Sequence, residues 1–188
     1  MGTTIDVLGY GRLSKASDAS APLLVVFGGI VVGGIPSGHY MWNYMNTVKD
    51  RFHIFVAQSH TVPGPDSYRS LMTTLKAQGL TPAKQILYLF SGGYRPGMAL
   101  LTGGGPANFS SIYLVDIWMG DSSVSDFYRA LVDANAVKIT YVYTTFGANN
   151  EKARDYIANK VGSQRAKLVE GKGMDVHMGT NTVAVRTL

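Results

Sequence analysis

The chain contains no cysteine, which excludes disulfides, thiolate metal sites and a cysteine nucleophile and leaves the redox character of its compartment unread. Charge is scarce: Asp, Glu, Lys and Arg make up 15% of the residues, against about 25% in an average soluble protein. Extended disorder, a coiled coil or a charged tail fit that composition poorly. The 17 basic and 12 acidic side chains leave a net +5, but the bases are scattered. No run of them could follow a phosphate backbone, so no nucleic-acid partner is expected. Long apolar runs are missing too. None approaches the roughly 20 residues that cross a bilayer, and residues 1–10 lack the basic-then-apolar order of a secretion signal. The expectation is a soluble chain without a membrane span, its location undetermined. No two histidines stand at i, i+4, no H-E-x-x-H occurs and the carboxylates do not cluster, so neither a metal nor another cofactor is expected.

What is present is apolar bulk. In 188 residues, 46% are hydrophobic, enough for one sizeable core, and residues 1–188 read as a single domain. Short β-rich apolar runs alternate with helical stretches, the pattern of an α/β fold: a mainly parallel central sheet of about six or seven strands with helices on both faces. Strands are predicted over 4–8, 23–27, 53–58, 85–90, 112–116, 138–144 and 166–169, the first of them polar enough for a sheet edge. Helices are predicted over 66–78 with Gly79 just past its end, from about Ser123 with an apolar stripe including Val124, Phe127 and Leu131, and from Asn149 or Asn150 to 161, closed by Gly162. The Met- and aromatic-rich stretch 40–49 reads as a fourth, packed on the sheet.

Glycine is abundant, at 22 of 188, well above the usual ~7%. Clusters stand at Gly28-Gly29, Gly33-Gly34, Gly92-Gly93 and Gly103-Gly104-Gly105, and three of them lie near the C-terminal ends of predicted strands. That edge is where open α/β sheets place their ligands. The most informative stretch is Leu87-Tyr88-Leu89-Phe90-Ser91-Gly92-Gly93, a hydrophobic strand running directly into a serine and two glycines. It resembles the nucleophile elbow of the α/β-hydrolase superfamily, the serine esterases and lipases, in which the positions two before and two after the serine are small. Gly93 meets the second requirement, whereas Leu89 stands where glycine or alanine is usual. Pro96 and Gly97 weaken the helix expected to follow. The bland alternative is a Ser-Gly-Gly turn that only joins strand to loop.

The resemblance implies roles for particular residues. Ser91 would be the nucleophile, and a weak one needs a base, an orienting acid and oxyanion donors. Of the four histidines, His177 lies after the last predicted strand, matching the family order of serine, acid, histidine. His53 opens a buried strand and reads as structural. His39 and His60 follow strands, and together with Tyr40 they are candidates for contact with substrate. Asp116 ends the strand after the serine and is the candidate acid. Most relatives carry the acid one strand later, but residues 144–151 offer no aspartate. Asp121 is its substitute, and Asp175 stands too near His177 in the chain. Oxyanion donors would be the amide of Gly92 and that of Gly29 or Ile30, from the loop after Leu24-Val25-Val26-Phe27. Those glycines do not fit G-x-G-x-x-G, and Pro36 argues against a helix opening directly there.

The resemblance therefore implies a serine hydrolase that cleaves a carboxylic ester through a Ser-His-Asp triad and an acyl-enzyme, with a small-molecule or lipid-like ester as partner. A thioester or amide is within reach of the same apparatus. Two other classes stay open: a noncatalytic binding domain on a hydrolase frame, suggested by Leu89, and a phosphate- or nucleotide-binding domain, suggested by the glycine loops and Arg95. A homo-oligomer is also left open.

Overall fold

The alternation of apolar runs and helical stretches produces one sheet with helices on both faces in the computed structural model. It describes residues 4–7, 11–29, 37–58, 65–102, 109–117, 124–133, 137–144, 148–171 and 177–188. Eight strands are β1 Thr4–Val7, β2 Gly11–Ser14, β3 Leu23–Phe27, β4 His53–Ala57, β5 Gln85–Phe90, β6 Ser111–Val115, β7 Lys138–Tyr143 and β8 Ala166–Glu170. Among the described residues the helices are α1 Ser37–Met45, α2 Pro65–Ala77, α3 Tyr94–Thr102, α4 Val124–Asp133, α5 Ala148–Lys160 and α6 Thr180–Thr187. No described helix is long and apolar enough to cross a membrane.

The strand order is β1-β2-β4-β3-β5-β6-β7-β8. β1 and β2 are antiparallel to each other, β2 is antiparallel to β4, and every other pairing is parallel. The sheet thus exceeds the six or seven strands that the sequence suggests. The unforeseen strand is β2, whose Gly-Arg-Leu-Ser is too short and polar to declare itself. It forms because Leu13 lands opposite Phe55 and is wholly buried there. As its polar sequence suggests, β1 is an edge strand.

Successive strand residues point to opposite faces, and the apolar runs are continuous because both faces are covered. On one face Leu24, Val26, Tyr88 and Phe90 pack with Met41 and Met45 of α1 and Ala184 of α6. On the other, Val25, Phe27, Leu87 and Leu89 pack with residues of α2 to α5 such as Leu75, Leu100, Leu131 and Ile157. Gly79 (φ 76°) and Gly162 (φ 79°) end α2 and α5 in the left-handed conformation that favours glycine. α6, Thr-Asn-Thr-Val-Ala-Val-Arg-Thr, was not foreseen from its β-branched sequence; burial of Ala184 and Val185 holds it helical.

The topology selects a place for ligands. From β3 the chain moves to β4 on one side and then returns to place β5 on the other. Such a reversal opens a crevice beyond the C-terminal ends of the two strands. β3 ends at Phe27, just before Gly28 and Gly29, and β5 ends at Phe90, just before Ser91.

Candidate active site

Ser91 stands in a tight turn between β5 and α3, with φ 52°. Among the described residues, Ser91 and Asp116 (φ 43°) are the non-glycine residues with positive φ. Each such conformation costs about 1–3 kcal/mol and persists only where its surroundings enforce it. The turn that carries Ser91 runs close against the end of β3. A β-carbon at Gly93 would lie 2.5 Å from the Phe27 carbonyl oxygen and 2.9 Å from that of Gly28, and backbone cannot give way. Leu89, the residue that departs from the elbow pattern, is accommodated by Gly97: a β-carbon there would lie 2.4 Å from Leu89 Cδ1. The space usually left by a small residue in the strand is left instead by one in the helix. Pro96 falls in the first turn of α3, where its missing N–H has no helical partner to lose.

Gly97→Ala is therefore expected to destabilise the fold by about 1–3 kcal/mol through overpacking. In a Leu89→Ala background that penalty should largely vanish. Thermal unfolding of the four proteins of this cycle measures the coupling, and strictly additive effects would refute the packing account.

Asp116 follows β6 with its side chain 3% exposed. Its Oδ2 lies 2.5 Å from His177 Nδ1. Its Oδ1 accepts from Asn150 Nδ2 at 2.6 Å and from Thr144 Oγ1 at 3.1 Å. An ionised carboxylate only accepts, so the contact selects the tautomer with hydrogen on Nδ1, leaving the Nε2 lone pair for another proton. Thr144 and Asn150 were missed from sequence as site residues. They lie just past β7, where the resemblance drawn from the sequence would more often place the acid, and here neutral donors from that position grip a carboxylate from the neighbouring strand. The absence of any aspartate over 144–151 was the available signal. Asn150, read as a helix cap, lies inside the first turn of α5.

His177 is held between β5 and the start of α6. Its ring stacks on Phe90, the residue before Ser91, with centroids 4.6 Å apart. Its carbonyl accepts from Thr180 Oγ1 at 2.7 Å. Asn181, buried in α6, accepts from Tyr88 Oη at 2.8 Å through Oδ1 and donates to the Met178 carbonyl at 3.1 Å. The imidazole is 44% exposed, so one side of it remains open to a ligand. No hydrogen bond joins Ser91 Oγ to His177 among the described residues; catalytic hydrogen bonds are commonly loose until substrate draws them in.

Gly29 closes the other side of the serine. A β-carbon there would lie 2.9 Å from Ser91 Cβ, 3.1 Å from its Oγ and 3.3 Å from Tyr40 Oη. Any side chain would fill the space beside the hydroxyl. Burial raises the Tyr40 phenol above its ordinary range, and a hydrogen bond from the Gly29 amide offsets part of that rise. The Tyr40 ring also meets Phe90 edge-on, with centroids 6.3 Å apart.

No family model and no curated protein matches the sequence. Solved structures do match over nearly the whole chain. The esterase domain of a Rhodothermus marinus protein superposes with a TM-score of 0.64 at 11% identity, over 100% of this chain and 95% of that one. Est1E from Butyrivibrio proteoclasticus gives 0.59 at 12%, over 99% and 96%. A predicted CIB-like hydrolase from Thermoplasma acidophilum gives 0.58 at 17%, over 100% and 94%. The chain has the α/β-hydrolase fold. At these identities the likeness is one of architecture, and chemistry has to be argued from side chains.

On this α/β-hydrolase sheet the remaining predicted residues fall in separate places. His39 is exposed and lines a shallow depression with Arg12, Trp42, Asn43 and Gln58, while Tyr40, its neighbour on α1, approaches Ser91. His53 is wholly buried. Its Nδ1 accepts from the Ala16 amide at 3.1 Å and its Nε2 contacts the Ala19 carbonyl at 3.2 Å, a structural bridge. Gly92 directly follows Ser91 in the turn. Ile30, His60, Asp121 and Asp175 lie outside the described residues.

Proposed function

We propose that this protein is a serine hydrolase that cleaves a carboxylic ester, with Ser91 as nucleophile, His177 as general base and then acid, and Asp116 as the group that orients His177. The observation that carries this is the His177–Asp116 hydrogen bond held against Phe90, one residue from a serine in a strained turn. Ser91 itself is only 8% exposed, and the fixed tautomer turns the basic nitrogen away from the carboxylate.

In the first half-reaction Ser91 Oγ bonds to the carbonyl carbon, its proton passes to His177 Nε2 and the carbonyl π pair moves onto oxygen. Collapse expels the alkoxide, which takes the proton from Nε2 and leaves an acyl-serine. Water then repeats the sequence, with His177 accepting its proton and returning it to Ser91. Asp116 accepts from Nδ1–H throughout, orienting the ring and stabilising the imidazolium. The Gly92 amide serves as a backbone donor to the developing oxyanion, the Gly29 amide being engaged by the Tyr40 phenol. An ester is favoured because the structural neighbours include proteins described as esterases.

A fluorophosphonate probe tests the reading. The expected result is one adduct per chain, on the peptide containing Ser91, accompanied by loss of p-nitrophenyl ester hydrolysis. A folded wild-type protein that takes no label and cleaves no ester across a panel of acyl lengths refutes it.

A further inference from the structure

We propose that the Tyr40 hydroxyl is an oxyanion donor: the Gly29 amide donates to the phenol oxygen, and the phenol proton bonds the carbonyl oxygen of the substrate. This rests on the serine-hydrolase reading and adds a side-chain group to a stabilising set that the sequence reading assigned to backbone amides alone. The geometry that points to it is the crowding around Gly29. Tyr40 Oη lies 3.3 Å, and Ser91 Oγ 3.1 Å, from the point where a β-carbon of Gly29 would stand. The phenol and the nucleophile therefore border the same small space, kept clear because residue 29 has no side chain.

The phenol is held in place. Tyr40 lies on α1 next to Met41, and both Met41 and Met45 are wholly buried against the sheet. Its ring leans on Phe90, whose own ring carries the His177 imidazole. One aromatic residue thus spaces Tyr40 and His177 about the serine. Burial raises the phenol above its ordinary range, so it stays protonated at neutral pH and able to donate.

Accepting from an amide does not consume the phenol's own proton. A phenol so polarised is the stronger donor, because hydrogen bonds in a chain reinforce one another. As Ser91 Oγ bonds to carbon and its proton moves to His177, negative charge grows on the carbonyl oxygen. Tyr40 stabilises that charge by hydrogen bonding and keeps its proton throughout. A donor whose bond strengthens as charge develops lowers the barrier without tightening substrate binding.

The test is Tyr40→Phe, assayed for kcat and KM on a p-nitrophenyl ester, with fluorophosphonate labelling of both proteins in parallel. Loss of one oxyanion donor should lower kcat by about 10²–10³-fold, with KM changed less than about threefold. Affinity for a trifluoromethyl ketone, whose serine adduct carries the same oxyanion, should fall alongside kcat. If the phenol merely blocks the Gly29 amide, its removal leaves kcat unchanged or raises it, and the proposal falls; a raised KM at constant kcat, the mark of a substrate wall, also overturns it. Should Tyr40→Phe fail to fold, fluorotyrosines at position 40 keep the shape: kcat that varies with phenol acidity supports donation, and kcat indifferent to it overturns donation. A labelled wild type with an unimpaired Tyr40→Phe defeats this proposal alone, whereas an unlabelled wild type defeats the serine-hydrolase reading with it.

Discussion

Ser91→Ala is expected to lower kcat on a p-nitrophenyl ester on the order of a millionfold, with thermal stability nearly unchanged. The loss is that large because, in the proposed mechanism, Oγ forms the bond that divides the reaction into two easier steps, and neighbouring groups cannot supply another nucleophile in its place. Stability should hold because alanine keeps the β-carbon, so the strain of a residue at φ 52° is the same in both proteins. Fluorophosphonate labelling should vanish together with turnover. Ester hydrolysis within tenfold of wild type in the folded variant would exclude Ser91 as nucleophile.

For Asp116→Asn a loss of about 10⁴-fold in kcat is expected, again with the fold retained. Asparagine tolerates positive φ nearly as well as aspartate, so φ 43° adds no new strain. What changes is the proton on His177. Asn150 and Thr144 both donate to Oδ1, which orients the amide so that its oxygen faces them and its N–H₂ faces the imidazole. Nδ1 must then accept, which puts hydrogen on Nε2 and removes the lone pair that takes the serine proton. The collapse should therefore appear in kcat while binding of a neutral substrate analogue survives. Activity reduced less than tenfold would dismiss Asp116 as the acid and direct attention to Asp121.

How far the site can be read along the chain depends on distance. Ser91 stood out because its signal is local: a buried strand that stops at Ser-Gly-Gly within a few residues. Asp116 became the candidate acid for a similar reason, as the aspartate closing the next strand. His177 needed the order of elements as well as its own neighbourhood. Thr144 and Asn150 were harder, and Tyr40 was named only for contact with substrate. Each acts across elements, with Thr144 and Asn150 gripping a carboxylate from another strand and Tyr40 reaching a glycine after β3. The pairing of Leu89 with Gly97 is similar: each alone looks like a departure from the elbow pattern, and only packing of strand on helix makes them complementary.

Sequence by itself determined the α/β class and most of the strands, because buried parallel strands are continuous apolar runs that end in glycine and polar residues, and that contrast is written locally. It also placed the helix ends at Gly79 and Gly162, since left-handed termini favour residues without a β-carbon. Tertiary structure alone decided that β2 pairs at all, that α6 is a helix, that neutral donors flank Asp116 and that Tyr40 rather than His39 approaches Ser91. Those outcomes depend on which surfaces meet across the sheet, and contact between residues far apart in the chain has no periodicity to announce it.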